Sequence, residues 1–160
     1  LAVFPKTFLS LCRFSFLISS FVFRNQKPFH PERFWKYINE EYPNTIIRAK
    51  GLFWLASRPD DAINFSQAGG SSRMERAGVW WASMTFNERT NYQAFVDNKE
   101  YIESKWSKQW GDRINELVFI GQDVEKEKMI IELEKCLLQD DEHDLLEEKN
   151  SCIDPFPEEM

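Results

Sequence analysis

Residues 46–70 read IIRAKGLFWLASRPDDAINFSQAGG. β-branched and aromatic residues (Ile46, Ile47, Phe53, Trp54) mark residues 46–57 as a strand. A polar turn is expected at Arg58-Pro59-Asp60-Asp61, then a partner strand over 62–68, closed by a tight turn at Gly69-Gly70. The stretch holds no acid/base pair, no metal-ligand spacing and no phosphate loop. It is a piece of sheet, and the rest of the chain is read outward from it.

Downstream, residues 71–83 continue as a strand carrying Met74, Val79, Trp80 and Trp81. Residues 87–110 are polar but punctuated by Tyr92, Phe95, Tyr101, Ile102, Trp106 and Trp110, which predicts one or two helices broken at Gly111-Asp112. ELVFIG at 116–121 is a short apolar strand. Residues 125–138 place Met129, Ile130, Leu133, Cys136 and Leu137 on one face of a helix. Upstream, 18–24 reads as a first strand. Pro28-Phe29-His30-Pro31 stops it and starts a helix that runs to about Tyr42, because Pro is tolerated in a first helical turn. The order β-α-β-β-β-α-β-α implies an α+β fold: a mainly antiparallel sheet of four to five strands with helices packed against it. Residues 18–138 are expected to form the folded unit. Residues 1–17 read as an unmatched leader, disordered or artefactual, and 139–160 as an acidic tail of little weight for stability.

With 160 residues, 42% hydrophobic and 15% aromatic, the chain can build one real core. Six Trp and fourteen Phe are read first as its filling. The net charge of −6 gathers at the C-terminal end, which argues against nucleic acid as a partner. Three cysteines (Cys12, Cys136, Cys152) at long spacing form neither a disulfide framework nor a closed zinc site, so a reducing, cytoplasmic setting is expected. Residues 1–23 imitate a secretory signal. Arg13 splits the apolar run, and the uncharged 14–23 is too short to span a bilayer, so no membrane partner is expected. The chain opens on Leu rather than Met, so a fragment or a displaced gene start is expected.

Chemistry is scarce. GxxxxGK[ST] is absent, and Gly69-Gly70 has no Lys after it. His30 and His143 are the only histidines, neither in a nucleophile context. Cys136 and His143, seven residues apart beside Asp140, Asp141, Glu142 and Asp144, are weak candidate metal ligands. Basic and aromatic residues interleave around Arg48, Lys50, Phe53, Trp54 and Arg58, but strand alternation accounts for them.

Several strings, taken in order, resemble the C-terminal domain of CobW-type GTP-dependent metallochaperones. They are ISSFVFR at 18–24, PFHPERF at 28–34, RAKGLFWLASRPD at 48–60, SQAGG at 66–70 and the paired Trp80-Trp81. WGDRINELVFIGQD at 110–123, CLLQDDE at 136–142 and DPFP at 154–157 follow. FWLASRP with a DPFP tail is similar to the zinc-handling branch. The family's GTPase domain, with its phosphate loop and CxCC motif, has no counterpart in these 160 residues.

The resemblance implies an accessory domain that binds a client metalloprotein or regulates the GTPase domain, in cis or in trans, and is not itself an enzyme. It implies no cofactor in this chain, with zinc and GTP/Mg belonging to the full-length relative. Interface or architectural roles fall to His30, Arg33, Arg48, Trp54, Arg58, Gln67 and Trp80, with Arg48, Arg58 and Gln67 expected to share one docking edge. The alternatives are a stand-alone weak metal binder using the acidic Cys/His-containing end, and, behind it, a small enzyme.

Overall fold

Phe21 of the first strand stands opposite Phe119 of the fifth, and Phe23 opposite Leu117. The same face continues through Ala49 beside Phe119, Phe53 beside Ile63, and Phe65 beside Met74. These pairings define the sheet in a computed structural model that describes residues 17–142 and 153–158. Its strands are β1 (Ile18–Asn25), β2 (Ile46–Leu55), β3 (Arg58–Ala68), β4 (Ser71–Val79) and β5 (Asn115–Gln122). They lie in the order β1-β5-β2-β3-β4, every neighbouring pair antiparallel. Four helices complete an α+β fold: α1 (Pro31–Lys36), α2 (Phe86–Thr90), α3 (Gln93–Ser104) and α4 (Lys126–Cys136).

Period-two alternation puts Phe21, Phe23, Leu117, Phe119, Ala49, Phe53, Ile63 and Phe65 on one face, where α1 and α4 cover them with Phe34, Met129 and Leu133. Each fully buried Phe contributes about 2–3 kcal/mol relative to an exposed one. Phe29 and Phe34 stack at 3.8 Å, and Phe53 meets Phe34 edge-on at 5.0 Å. The close approach of β2 to β5 requires Gly51, since a Cβ there would sit 1.9 Å from the Glu116 carbonyl oxygen. A second, smaller cluster at the end of the sheet packs Trp54, Ala62 and Trp80 with Trp110 and Ile114.

Four boundaries differ from the sequence reading. The β2–β3 connection is the two-residue turn Ala56-Ser57, not Arg58–Asp61, because Arg58 already pairs with Leu55. β4 ends at Val79 because the Asp112 carboxylate takes the N–H groups of Trp81 and Ala82 at 3.0 and 2.8 Å, fixing a 3-10 turn over Trp81–Ser83. The first helix is α-helical only to Lys36. It widens into a π-helical turn over Tyr37–Glu41, bringing the Tyr42 ring to 6.1 Å from Tyr37. The 87–110 segment divides into α2, opened by a Thr85–Glu88 capping box, and α3. The expected leader lies outside the described residues except for Leu17.

Candidate functional site

The β2–β3 turn and α1 build the most elaborated polar site, and residues 154–157 fill it. Asp154 Oδ2 accepts from Ser57 Oγ and from Arg58 Nε, each at 2.7 Å. Arg58 Nη2 donates to the Phe156 carbonyl at 2.8 Å and Nη1 to that of Pro157 at 2.9 Å. Asp154 Oδ1 accepts the Phe156 N–H at 2.9 Å, a local turn of the kind Asp-Pro sequences favour. The Phe156 ring, 3% exposed, lies 5.0 Å from Trp35, 6.1 Å from Phe53 and 6.3 Å from Phe34. The expectation that the whole acidic end stands apart from the fold is therefore corrected: Phe156 belongs to the main core.

A second junction joins α1 to the end of α4. The His30 N–H donates to the Cys136 carbonyl and the Leu138 N–H to that of Pro28, both at 2.8 Å. Arg33 reaches both Glu142 oxygens, at 2.7 and 2.6 Å, and the Leu137 carbonyl at 2.9 Å. The bidentate Arg33 fork holds the Glu142 carboxyl down to about 2. Burial, with Arg33 beside it, lowers the His30 pKa, and among the described residues His30 Nδ1 is buried with no hydrogen-bond partner. The Cys136 thiol donates to the Glu132 carbonyl at 3.2 Å, and burial pushes its pKa up to about 12. A protonated thiol turned back along its own helix is a poor zinc ligand. His143 lies outside the described residues. No group of three or more His, Cys, Asp or Glu side chains among the described residues gathers as a metal site.

The tryptophan strings hold each other. Trp54, 1% exposed, donates its indole N–H to the Gln26 carbonyl at 3.1 Å. Trp80 donates its own to the Asp61 carbonyl at 3.0 Å. Arg113 lies over Trp54 at 5.4 Å and donates to the Pro59 carbonyl at 2.7 Å and to Ser83 Oγ at 2.9 Å. Gln67 is buried on the core-facing side, 3.4 Å from the Tyr42 hydroxyl, and its amide donates to the Gly69 carbonyl.

Among the described residues, the sheet's other face is only partly covered. Arg48, Lys50 and Leu52 of β2 are exposed there, with Ile120 of β5 and Val22 of β1. Beside them, Lys50, Leu52 and Val118 meet Tyr101, Ile102 and Lys105 of the α3 end around an open groove of about 510 Å³.

The family model for the cobalamin synthesis protein cobW C-terminal domain matches residues 18–137. The chain belongs to the CobW C-terminal domain family. A zinc-regulated GTPase metalloprotein activator from Dictyostelium discoideum is 34% identical over 128 residues, 78% of this chain and 26% of that protein. A zinc chaperone from Mycobacterium tuberculosis is 30% identical over 136 residues, 84% of this chain and 33% of that protein. The chain thus spans about a quarter to a third of the length of these relatives. The crystal structure of a Zn(II)-bound Escherichia coli GTPase, YjiA, superposes with a TM-score of 0.53. It is 14% identical, and the match covers 76% of this chain and 30% of that one, a likeness of fold.

In this CobW C-terminal domain the residues singled out from the sequence do not converge. Arg58 opens β3 and Gln67 lies near its far end, nine residues and about 30 Å along the strand. A shared docking edge with Arg48 is ruled out by that distance and by Gln67 facing the core. His30, Arg33, Trp54, Arg58, Gln67 and Trp80 make the internal contacts described above, and Arg48 remains exposed. Sequence reasoning missed Asn115, which is fully buried. Its side chain accepts the Trp54 N–H at 3.0 Å and donates to the Lys27 carbonyl at 2.6 Å. An Asn leading an apolar strand carries no signal that would have found it. Asp112 and Arg113 lie within WGDRINELVFIGQD, where nothing in the sequence pattern marks them as contacts of the Trp80-Trp81 turn.

Proposed function

We propose that this chain is an accessory, non-catalytic domain of a GTP-dependent zinc metallochaperone, which contacts a GTPase domain of its own family and through it a client metalloprotein. The observation that carries the reading is the family match over residues 18–137, joined to relatives named as a zinc-regulated GTPase metalloprotein activator and a zinc chaperone. Zinc and GTP/Mg are assigned to the GTPase portion of such proteins, since no phosphate-loop pattern occurs in these 160 residues. The contact face we favour is the outer face of β1, β5 and β2, where Val22, Leu52 and Ile120 are exposed around Arg48 and Lys50. Apolar residues beside two cations suit a partner surface that is itself apolar and carries acidic groups. The buried free thiol of Cys136 fits a reducing, cytoplasmic setting.

Calorimetric titration of the chain with the separately expressed GTPase portion of the Dictyostelium relative tests the reading. Saturable association is expected, weakened about tenfold or more, roughly 1.4 kcal/mol, by Leu52→Asp or Arg48→Glu with the melting temperature unchanged. Absence of association, or association indifferent to both substitutions, refutes it.

A further inference from the structure

We propose that the pocket formed by Phe34, Trp35, Phe53, Ser57 and Arg58 is a peptide-recognition site for Asp-Pro-Phe-Pro segments. The chain's own residues 154–157 occupy it as a tethered ligand that can exchange with the same sequence supplied in trans. This inference does not depend on the proposed function.

The contacts have the form of ligand recognition. Four groups of the segment are read, by donors and a pocket that all come from β2, the β2–β3 turn, β3 and α1. Ser57 and Arg58 bind the Asp154 carboxylate, Arg58 binds two successive carbonyls, and an aromatic pocket takes the Phe156 ring. The planar guanidinium fork suits this simultaneous reading of a carboxylate and backbone oxygens. Pro155 and the Asp154–Phe156 turn restrict the segment before it binds, which lowers the entropy lost on docking. Among the described residues no backbone–backbone hydrogen bond ties 153–158 to the sheet or helices, so the segment is held through side chains rather than as a strand.

The pocket walls have their own support. Phe34 stacks on Phe29, Phe53 packs edge-on against Phe34, and Arg58 belongs to β3 through its pairing with Leu55. The side chains of the arginine and its carboxylate partner are 18% and 19% exposed, at the edge of the pocket.

Ten residues, 143–152, separate Glu142 from the segment in sequence, so its docking is intramolecular. Intramolecular docking of this kind can face effective concentrations in the millimolar range. A peptide with an intrinsic dissociation constant of tens of micromolar would then compete at a disadvantage of about ten- to a hundredfold. The test uses fluorescein-labelled Ile-Asp-Pro-Phe-Pro-Glu and the full chain, read by fluorescence anisotropy. The chain carrying Asp154→Ala and Phe156→Ala is expected to bind the peptide at least tenfold more tightly than the unsubstituted chain. Adding Arg58→Ala, or replacing the peptide's Asp or Phe with Ala, abolishes saturation. No binding by a vacated chain that still melts cooperatively, or equal binding by both chains, overturns the proposal.

A second form of the experiment keeps the segment native while the chain folds. A protease site is placed between residues 143 and 152 and cut after purification. The cut fragment is expected to remain associated and to exchange with labelled peptide. A chain that unfolds on cutting, or a fragment that never exchanges, shows the segment to be core rather than ligand and overturns the proposal. The cut chain also decides the matter if the vacated chain fails to fold.

Discussion

Asn115→Ala removes two hydrogen bonds at once, one buried and one partly buried. Asn115 has no exposed surface; it takes the Trp54 N–H at 3.0 Å and gives its amide to the Lys27 carbonyl at 2.6 Å. It thereby joins the start of β5, the irregular end of β2 and the loop leaving β1. Substitution strands the Trp54 donor away from water and leaves the partly buried Lys27 acceptor without this partner. Each stranded group costs about 1–3 kcal/mol, so a loss of about 4 kcal/mol is expected. For a domain of this size that corresponds to a fall of about 8–16 °C in Tm. Asn115→Asp separates the two bonds. The carboxylate still accepts from Trp54 but opposes the Lys27 carbonyl, and burial raises its pKa. That variant's deficit relative to the parent should shrink between pH 7 and pH 5, where a protonated carboxyl can donate again, whereas the deficit of Asn115→Ala stays constant. Chemical denaturation at both pH values measures this, with hydrogen exchange at the Trp54 amide as the local probe. A loss below about 1 kcal/mol for Asn115→Ala, with the Trp54 amide still protected, would refute the assignment of Asn115 as a joint.

Gly51→Ala should cost about 3 kcal/mol or more, because the added Cβ meets the Glu116 backbone at 1.9 Å rather than a yielding side chain; urea midpoints test it. Stability should fall on acidification in two steps. His30, whose pKa folding lowers, begins to oppose folding as pH drops below about 6.5, and the Glu142 contribution, complete above about 4.5, disappears as pH approaches 2. Glu142→Gln should flatten the lower step in pH-dependent denaturation and deepen the upper one, because the Glu142 charge partly offsets the lowering of the His30 pKa by burial and Arg33. The Cys136 thiol, held protonated by burial, should resist iodoacetamide at pH 8 until the chain is unfolded, as mass spectrometry would register; rapid alkylation of the native chain would contradict its placement.

What was legible in the sequence was periodic or local. Alternating apolar residues disclosed five strands, Pro31 and Pro43 bracketed the first helix, and Gly69, with a φ of 58°, closed the β3–β4 hairpin as its Gly-Gly pair implied. The misplaced β2–β3 turn has a specific cause. Arg58-Pro59-Asp60-Asp61 has turn composition, but Pro59 sits near the start of β3, where strand pairing tolerates it. The end of β4 was misplaced because Asp112, 30 residues downstream in sequence, supplies the carboxylate that turns the chain at Trp81-Ala82. No window around Trp80 contains that information.

Arg58 shows why the candidate residues were harder to read than the fold. Its neighbours suggested an exposed arginine at a polar turn, suited to docking another protein. Its actual partners are Asp154, Phe156 and Pro157, 96 to 99 residues away. The two strings, LASRPD and DPFP, were each quoted from the sequence, yet only the fold shows that one receives the other. The same holds for Trp80-Trp81 and Asp112-Arg113, and for Arg33 and Glu142. Arg58, Asp112 and Arg33 each find their partners in a string distant in sequence. Charge reversal at Arg58 should release the C-terminal segment and expose the Phe34–Trp35–Phe53 pocket, whereas charge reversal at Arg48, exposed on the opposite face, leaves that clasp intact. Comparing the two variants by binding of the Asp-Pro-Phe-Pro peptide and by association with the GTPase portion assigns each face its role. Arg58→Glu should change only the first and Arg48→Glu only the second. A single variant that disturbs both would show that the two faces are coupled and that the separation argued from their contacts is wrong.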